Sequence, residues 1–190
     1  MRMSANGSKS VARAGNSDLR RDLSSGPLII TALLGGADFG WLDRQRHACY
    51  PPDRNVLSAH LTLFRHLPPS ALDEVKGRIK AICAGPRPSA SLTDVLLFEQ
   101  GVAYRVESPA LMEIWHELAD ALSGILTPQD LAVPRLHVTI QNKVTPREAR
   151  ALAEHLRKGF SPRPLVVSGL VLWRYRGGPW DAAARFCFRG

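Results

Sequence analysis

The chain has 190 residues, of which 45% are hydrophobic and 22% charged, a composition typical of one globular domain and not of a disordered chain. It carries 25 Lys and Arg against 17 Asp and Glu, and the net charge of +8 favours an anionic partner such as a nucleotide or RNA. No apolar run reaches the roughly 18 residues of a membrane-spanning helix, which excludes an integral membrane protein.

The first 26 residues are polar and rich in Ser, Gly and Arg, with no sustained apolar period. We expect residues 1–26 to form a disordered basic leader ahead of a single bilobal domain over residues 27–190. An RNA-grasping arm and a transit peptide are the functional alternatives for this leader.

From residue 27 the pattern alternates between short apolar runs and amphipathic segments. The predicted elements, in chain order, are a strand over 28–34, a helix over 38–50, a strand over 56–64, a helix over 70–83, a hairpin over 91–99 and 102–107, a helix over 108–122, a strand over 135–141, a helix over 145–158, and strands over 165–175 and 184–188. Ser70 is a predicted N-cap, and Thr145 with Glu148 forms a predicted capping box. This order indicates an internal duplication. We expect an α+β fold with pseudo-two-fold lobes and a central cleft between two antiparallel sheets.

Two of the predicted strands repeat one pattern, in which His and Thr alternate with apolar residues. The segments are His60-Leu61-Thr62-Leu63 and His137-Val138-Thr139-Ile140. Because successive side chains of a strand point to opposite faces, the His and the Thr of each segment project together, away from the core. Two such strands facing one cleft would bring two imidazoles and two hydroxyls to one pocket.

The paired segments resemble the signature of the two-histidine (2H) phosphoesterases, and among these the LigT-like branch of 2′-5′ RNA ligases and cyclic phosphodiesterases. The resemblance covers residues 27–190. It implies a bilobal α+β fold and chemistry on 2′,3′-cyclic phosphates or 2′-5′ linkages, with neither a metal nor a cofactor. It also implies catalysis by His60 and His137, with the substrate phosphate held by Thr62 and Thr139.

Elementary chemistry supports this reaction independently. Opening a cyclic phosphodiester needs a base for the attacking water and an acid for the departing ribose oxygen, and imidazoles with pKa values near 6.5 serve both roles near neutral pH. Threonine hydroxyls can donate hydrogen bonds to the non-bridging phosphate oxygens. The sequence does not decide which histidine is the base, although we favour His137 as base and His60 as acid.

Further substrate contacts are harder to place. Many members of the family carry a basic residue directly after the second motif, whereas here Lys143 is the nearest cation. We add Arg174 and Tyr175 as candidate contacts, because residues 173–180 combine aromatic rings with arginines and suit base stacking and phosphate binding. The alternative for this segment is a tight hairpin with packed aromatic rings. A metal site built from His60, His66 and His137 is a weaker alternative, since no carboxylate or cysteine stands beside them at ligand spacing.

The expected function is that of a cytoplasmic, monomeric phosphodiesterase. It would hydrolyse 2′,3′-cyclic phosphates of nucleotides or RNA ends to 2′-phosphates, with reversible 2′-5′ RNA ligation as a further activity. Three cysteines without a C-x-x-C spacing argue against a disulfide framework and fit a reducing compartment. The alternatives are a non-catalytic nucleotide- or RNA-binding module of the same fold and a phosphodiesterase for an ADP-ribose cyclic phosphate.

Overall fold

The computed structural model of the chain describes residues 26–189, so the leader expected over residues 1–26 lies outside the described residues except for Gly26. The described part contains eight strands and five α-helices. They are β1 (Leu28–Leu34), α1 (Gly36–Cys49), β2 (Leu61–Leu67), α2 (Leu72–Ile82), β3 (Ser91–Phe98), β4 (Gly101–Glu107), α3 (Pro109–Ala121), α4 (Pro128–Leu131), β5 (His137–Gln141), α5 (Pro146–Gly159), β6 (Arg163–Pro164), β7 (Val167–Tyr175) and β8 (Trp180–Cys187).

The strands form one antiparallel sheet in the order β6-β3-β4-β5-β2-β1-β7-β8. The α+β class predicted from the sequence is confirmed. The sheet has two four-stranded halves, and the strands that meet between them, β2 and β5, are the strands of the two motifs. Their register pairs Leu61 with Val138. This hydrogen-bonded junction corrects the expectation of two separate sheets, because the halves share one continuous backbone ladder.

The period-two pattern of both motif strands decides which face of the sheet is buried. Leu61 and Leu63 on β2, and Val138 and Ile140 on β5, are all buried in one hydrophobic cluster that spans both halves of the sheet. The residues that alternate with these four, such as Thr62 between Leu61 and Leu63, therefore lie on the opposite face of the sheet. Burial of the apolar residues thus leaves the polar half of each motif exposed to a common cavity.

The predicted first motif strand begins five residues too early. Residues 56–60 precede β2, and α1 holds this segment by side-chain contacts. The carboxylate of Asp43 accepts a hydrogen bond of 2.7 Å from the backbone N–H of Ala59. Such contacts satisfy backbone groups that a ladder would otherwise satisfy, so the segment stays irregular.

Of the two helix starts predicted from capping residues, one is wrong and one is confirmed. The N-cap prediction for Ser70 is wrong, because Ser70 lies in a 3₁₀ turn and α2 begins at Leu72 without a side-chain cap. The predicted capping box is confirmed: Thr145 accepts a hydrogen bond from the N–H of Glu148, and the carboxylate of Glu148 accepts one from the N–H of Thr145.

Among the helices of residues 26–189, none combines the length and the apolarity that crossing a membrane requires.

Gly101 allows β4 to approach β5 closely, and replacing it should destabilise the sheet. A Cβ atom there would press on the carbonyl oxygen of Gln141 and would lie 2.9 Å from the Cα of Asn142. We expect Gly101→Ala to lower the free energy of unfolding by about 1–3 kcal/mol, as for other overpacked sites. Gly77→Ala on the exposed face of α2 meets nothing within 4 Å and should stabilise the protein by about 0.5–1 kcal/mol. Urea denaturation of both variants measures the difference, and a Gly101 variant as stable as the wild type would contradict the tight contact.

Candidate active site

The four motif side chains line a single cavity of about 560 Å³. The antiparallel register places Leu61 opposite Val138, and its continuation sets Thr62 across from His137 and His60 across from Thr139. Each histidine thus faces the threonine of the other motif. The remaining lining residues are Pro27, Ile29, Arg65, His66, Asn142, Tyr175 and Trp180.

Both motif histidines are held in the same tautomer by equivalent backbone contacts. Nδ1 of His60 lies 2.7 Å from the carbonyl oxygen of Ser58, and Nδ1 of His137 lies 2.6 Å from that of Arg135. A carbonyl oxygen only accepts hydrogen bonds, so Nδ1 must carry the proton in each ring. The Nε2 atoms are therefore the nitrogens available for proton transfer, and the two-residue spacing of the contact is identical in the two motifs.

An aromatic ring packs against each of these imidazoles. The ring centroids of His60 and Trp180 are 4.8 Å apart, and those of His137 and Phe98 are 5.4 Å apart. Trp180 begins β8 and Phe98 ends β3, so each half of the sheet covers its own histidine. These contacts limit ring motion and remove water from one side of each imidazole.

Burial has a direct effect on the proton affinity of both rings. Desolvation lowers the pKa of the His60 imidazole to about 4. The hydrogen bond to Ser58 raises this pKa, but desolvation outweighs it, and the positive charge of Arg46 lowers the pKa further. Desolvation also lowers the pKa of His137 below its usual 6.5, against the hydrogen bond to Arg135 and together with the charge of Arg65. Both imidazoles are therefore mostly neutral at pH 7, and His60 is a group of very low basicity for a histidine.

Arg46 on α1 connects the backbones of the two motifs. The residue is only 4% exposed. Its Nε donates hydrogen bonds to Oδ1 of Asn55 at 2.8 Å and to the carbonyl oxygen of Leu57 at 2.9 Å. Its Nη1 donates a hydrogen bond of 2.8 Å to the carbonyl oxygen of Thr139. One buried side chain thus joins the segment that leads into the first motif to the middle of the second. It was not identified from the sequence, because its three acceptors lie 9, 11 and 93 residues away.

Arg65 and His66 reach the cavity through an irregularity in β2. The pairing of β1 with β2 shifts register between Thr62 and Phe64, where Leu63 and Phe64 are both buried, and again between Phe64 and Leu67, as in a β-bulge. The buried carboxylate of Asp130 on α4 accepts hydrogen bonds from the N–H groups of both Arg65 and His66, each 2.8 Å long. Strict alternation from Thr62 would turn Arg65 toward the core, so the bulge explains why sequence periodicity missed this cation.

Of the three further contacts predicted from the sequence, only Tyr175 lines the cavity. Arg174 precedes it on β7 and points to the opposite face of the sheet, as neighbouring residues of a strand do. Lys143 has a left-handed φ of 62° in the turn after β5, and its carbonyl oxygen accepts a hydrogen bond from Arg54. The turn directs Lys143 into a separate depression, and Asn142 takes its place in the cavity.

The cavity also tests the metal site considered from the sequence. His60, His66 and His137 all line it. Within residues 26–189, however, no three His, Cys, Asp or Glu side chains come close enough together to hold a metal ion. The described arrangement of these three imidazoles is therefore not that of a ligand set.

Residues 36–179, which include both motifs, match the family described as the 2′-5′ RNA ligase superfamily. The chain belongs to this superfamily. The resemblance drawn from the two H-x-T-x segments is thereby confirmed. A comparison with curated protein sequences gives no significant match.

Solved structures of other proteins share the superfamily fold. TT0787 of Thermus thermophilus is 17% identical with a TM-score of 0.58, and the match covers 86% of this chain and 98% of that one. E. coli LigT complexed with 3′-AMP is 15% identical with a TM-score of 0.57, covering 87% of this chain and 99% of LigT. A further phosphoesterase gives 17% identity, a TM-score of 0.57, and coverage of 87% and 99%. At these identities the likeness shows that the fold is shared.

In this superfamily member, loss of the Arg46 side chain should loosen both motifs at once. Arg46→Met leaves three acceptors without their donor, and hydrogen bonds from charged groups contribute about 1.5–3 kcal/mol each. We expect the free energy of unfolding to fall by at least about 2 kcal/mol in urea denaturation. Arg46→Lys keeps the positive charge but lacks the planar guanidinium, so its free energy of unfolding should lie between those of the wild type and Arg46→Met. Equal stability of Arg46→Met and wild type would show that Arg46 does not stabilise this junction.

Proposed function

We propose that this protein is a phosphodiesterase that opens 2′,3′-cyclic phosphates of nucleotides or RNA ends to 2′-phosphates. The observation that carries the proposal is the pair of imidazoles, each anchored through Nδ1 and each facing a threonine across the junction of the two motifs. Such a pair supplies a base and an acid on opposite sides of one phosphate. Reversible 2′-5′ RNA ligation follows from the same chemistry if a ribose hydroxyl replaces the attacking water.

The pKa values favour His60 as the base, which reverses the preference drawn from the sequence. With a pKa of about 4, His60 is neutral at working pH and its Nε2 accepts a proton from water. The water oxygen attacks phosphorus as the bond from phosphorus to O3′ breaks, and protonated His137 donates its Nε2 proton to O3′. The product carries a 2′-phosphate, and the two histidines have exchanged one proton each with the reactants.

The other polar groups of the cavity suit the charge of the reacting phosphate. The hydroxyls of Thr62 and Thr139 would donate to its non-bridging oxygens, where negative charge accumulates in the transition state. The guanidinium of Arg65, and not Lys143 or Arg174, would supply the positive charge beside the phosphate. Binding and catalysis would thus use both motifs and one cation from the β2 bulge.

The relatives support nucleotides as the ligand class. E. coli LigT has been crystallised with 3′-AMP, NADP+, ATP and phosphate, so a protein of this fold binds phosphate-bearing nucleotides. A cavity of about 560 Å³ is within the usual range for sites of this kind. We further propose that the protein acts in the cytoplasm as a monomer; its three cysteines, Cys49, Cys83 and Cys187, are free.

Replacing either histidine should abolish most of the activity. We expect His60→Ala and His137→Ala each to lower turnover of adenosine 2′,3′-cyclic phosphate by at least about 10²–10⁴-fold, the usual effect of one acid–base group. The double variant should be little worse than the poorer single one, because the two groups act in one proton transfer cycle. Thr62→Val and Thr139→Val should be milder and should also raise KM.

The controls distinguish loss of a catalytic group from unfolding of the variant and from removal of a metal ion. His155→Ala, on the exposed face of α5, should leave turnover unchanged, and circular dichroism checks that every variant is folded. EDTA should not inhibit the wild type, and inhibition that zinc or manganese reverses would contradict the mechanism. If the wild type binds nucleotides but turns over none of a panel of cyclic phosphates, the protein is a binding module instead.

The pH profile follows from the two lowered pKa values. The base must be neutral, so kcat/KM is lost as pH falls through the His60 pKa of about 4. The acid must be protonated, so kcat/KM is lost as pH rises through the His137 pKa, which lies below 6.5. We therefore expect a maximum between these values, and a maximum above pH 7 would contradict the assignment.

A charge variant tests the cause of this profile. Arg65→Gln removes a positive charge that lowers the pKa of His137, so the alkaline limb should move to higher pH. Arg174→Gln removes the same charge from the opposite face of the sheet and serves as the matched control. Equal shifts in the two variants would show that Arg65 does not act on His137 through its position in the cavity.

A further inference from the structure

A second cavity, of about 480 Å³, adjoins the cavity of the two motifs. We call the latter the motif cavity. The second cavity lies over β1 and β7 and is bordered by the start of α1, by residues 56–60 and by β8. His60 and Trp180 line both cavities. The proposed reaction takes place in the motif cavity and gives the second cavity no role.

Most of the side chains that line the second cavity are apolar or aromatic. Phe39 on α1 and Val56 are exposed, and they belong neither to the hydrophobic core nor to the side chains packed against it. Val166, also exposed, extends this apolar surface, because its carbonyl oxygen accepts a hydrogen bond of 2.8 Å from the N–H of Gly35, which lies between two lining residues. An apolar surface that continues from a cavity into solvent is typical of a binding site.

Several polar atoms in the wall of the second cavity already have partners. Nε1 of Trp173 donates a hydrogen bond of 2.8 Å to Oγ1 of Thr31, which fixes the indole ring 6.1 Å from that of Trp180 between centroids. The carbonyl oxygen of Ser58 is in contact with Nδ1 of His60. Few groups therefore remain to bind the polar edge of a nucleobase, and an unpaired polar edge disfavours binding. The wall instead suits a flat apolar body that stacks on its rings.

Arg185 on β8 adds one positive charge to this apolar lining. Its side chain is exposed at the cavity and makes no salt bridge to another residue within 26–189. Its register partner on β7 is Val171, a buried residue that also lines the cavity. A guanidinium binds a carboxylate through two parallel hydrogen bonds. One cation balances one negative charge, which favours a carboxylate over a phosphate monoester with nearly two.

We infer that the second cavity binds an organic monoanion in which a flat apolar body carries one carboxylate. The body would stack on the rings of Phe39, Trp173 and Trp180. The carboxylate would pair with the guanidinium of Arg185. A nucleotide would leave the polar edge of its base unpaired, and an uncharged apolar ligand would leave the cation unused. This site does not depend on the proposed reaction.

Binding of 2-naphthoate, with 2-naphthylmethanol as its uncharged analogue, tests this site by isothermal titration calorimetry of the full chain. We expect one naphthoate to bind with a Kd below about 1 mM, and the alcohol to bind at least about tenfold more weakly, because it lacks the charged hydrogen bonds. Arg185→Gln should weaken naphthoate binding at least about tenfold and leave binding of the alcohol unchanged. Phe39→Ala should weaken binding of both compounds about tenfold through lost stacking, and Phe39→Trp should restore it.

Two further arginine variants decide which cavity holds the ligand. Arg65→Gln removes a cation from the motif cavity, and Arg174→Gln removes one from the opposite face of the sheet. Both should leave the naphthoate affinity within about twofold of wild type, with circular dichroism as the check on folding. An effect of Arg185→Gln no greater than that of either control overturns the inference. Equal affinities for naphthoate and the alcohol, or a Kd above about 1 mM, also overturn it. Turnover is not measured, so these outcomes hold whether or not the protein is a phosphodiesterase.

Discussion

The contact between Leu61 and Val138 determines the geometry of the cavity that both motifs line. It is the point at which two half-sheets become one, and each partner is flanked in sequence by the histidine and the threonine of its motif. Because the strands are antiparallel, this one register sets each histidine against the threonine of the other half. Arg46 reinforces the junction from behind by binding the carbonyl oxygen of Thr139 and the segment before the first motif. The geometry therefore depends on backbone pairing more than on the histidine and threonine side chains themselves.

The environment of the imidazoles prepares them for an anion. Burial and nearby arginines lower the pKa of both His60 and His137 in the empty cavity. A bound phosphate brings negative charge close to both rings, and negative charge favours the protonated form of an imidazole. Because His60 starts from the lower pKa of the pair, His137 would be the first of the two to take up a proton when the proposed substrate binds. In the proposed reaction, substrate binding would thus generate the acid, and both histidines would be mostly uncharged before the substrate binds.

Local patterns predicted those parts of the structure that local forces determine. The alternation around His60 and His137 identified the buried face of each strand, and Thr145 identified the start of α5. Arg65 was missed because its orientation depends on Asp130, whose carboxylate binds the β2 backbone from 65 residues away. Lys143 was assigned to the site by proximity in sequence, but a left-handed turn directs it elsewhere. Long-range hydrogen bonds and single backbone conformations leave no periodic signal, so the sequence alone could not supply them.

The near two-fold symmetry of the motifs bears on how the two ends of the proposed substrate would be distinguished. Within the motifs each half offers the same imidazole, the same hydroxyl and the same carbonyl anchor, so these groups alone cannot tell one ester oxygen from another. The asymmetry lies in what surrounds them. Trp180 stands beside His60 and borders an open aromatic cavity, whereas Phe98 packs edge-on against His137. In the proposed reaction these surrounding residues would decide which end of the substrate lies at which histidine, and exchanging them between the halves is a route to a protein that binds the substrate in the reverse direction.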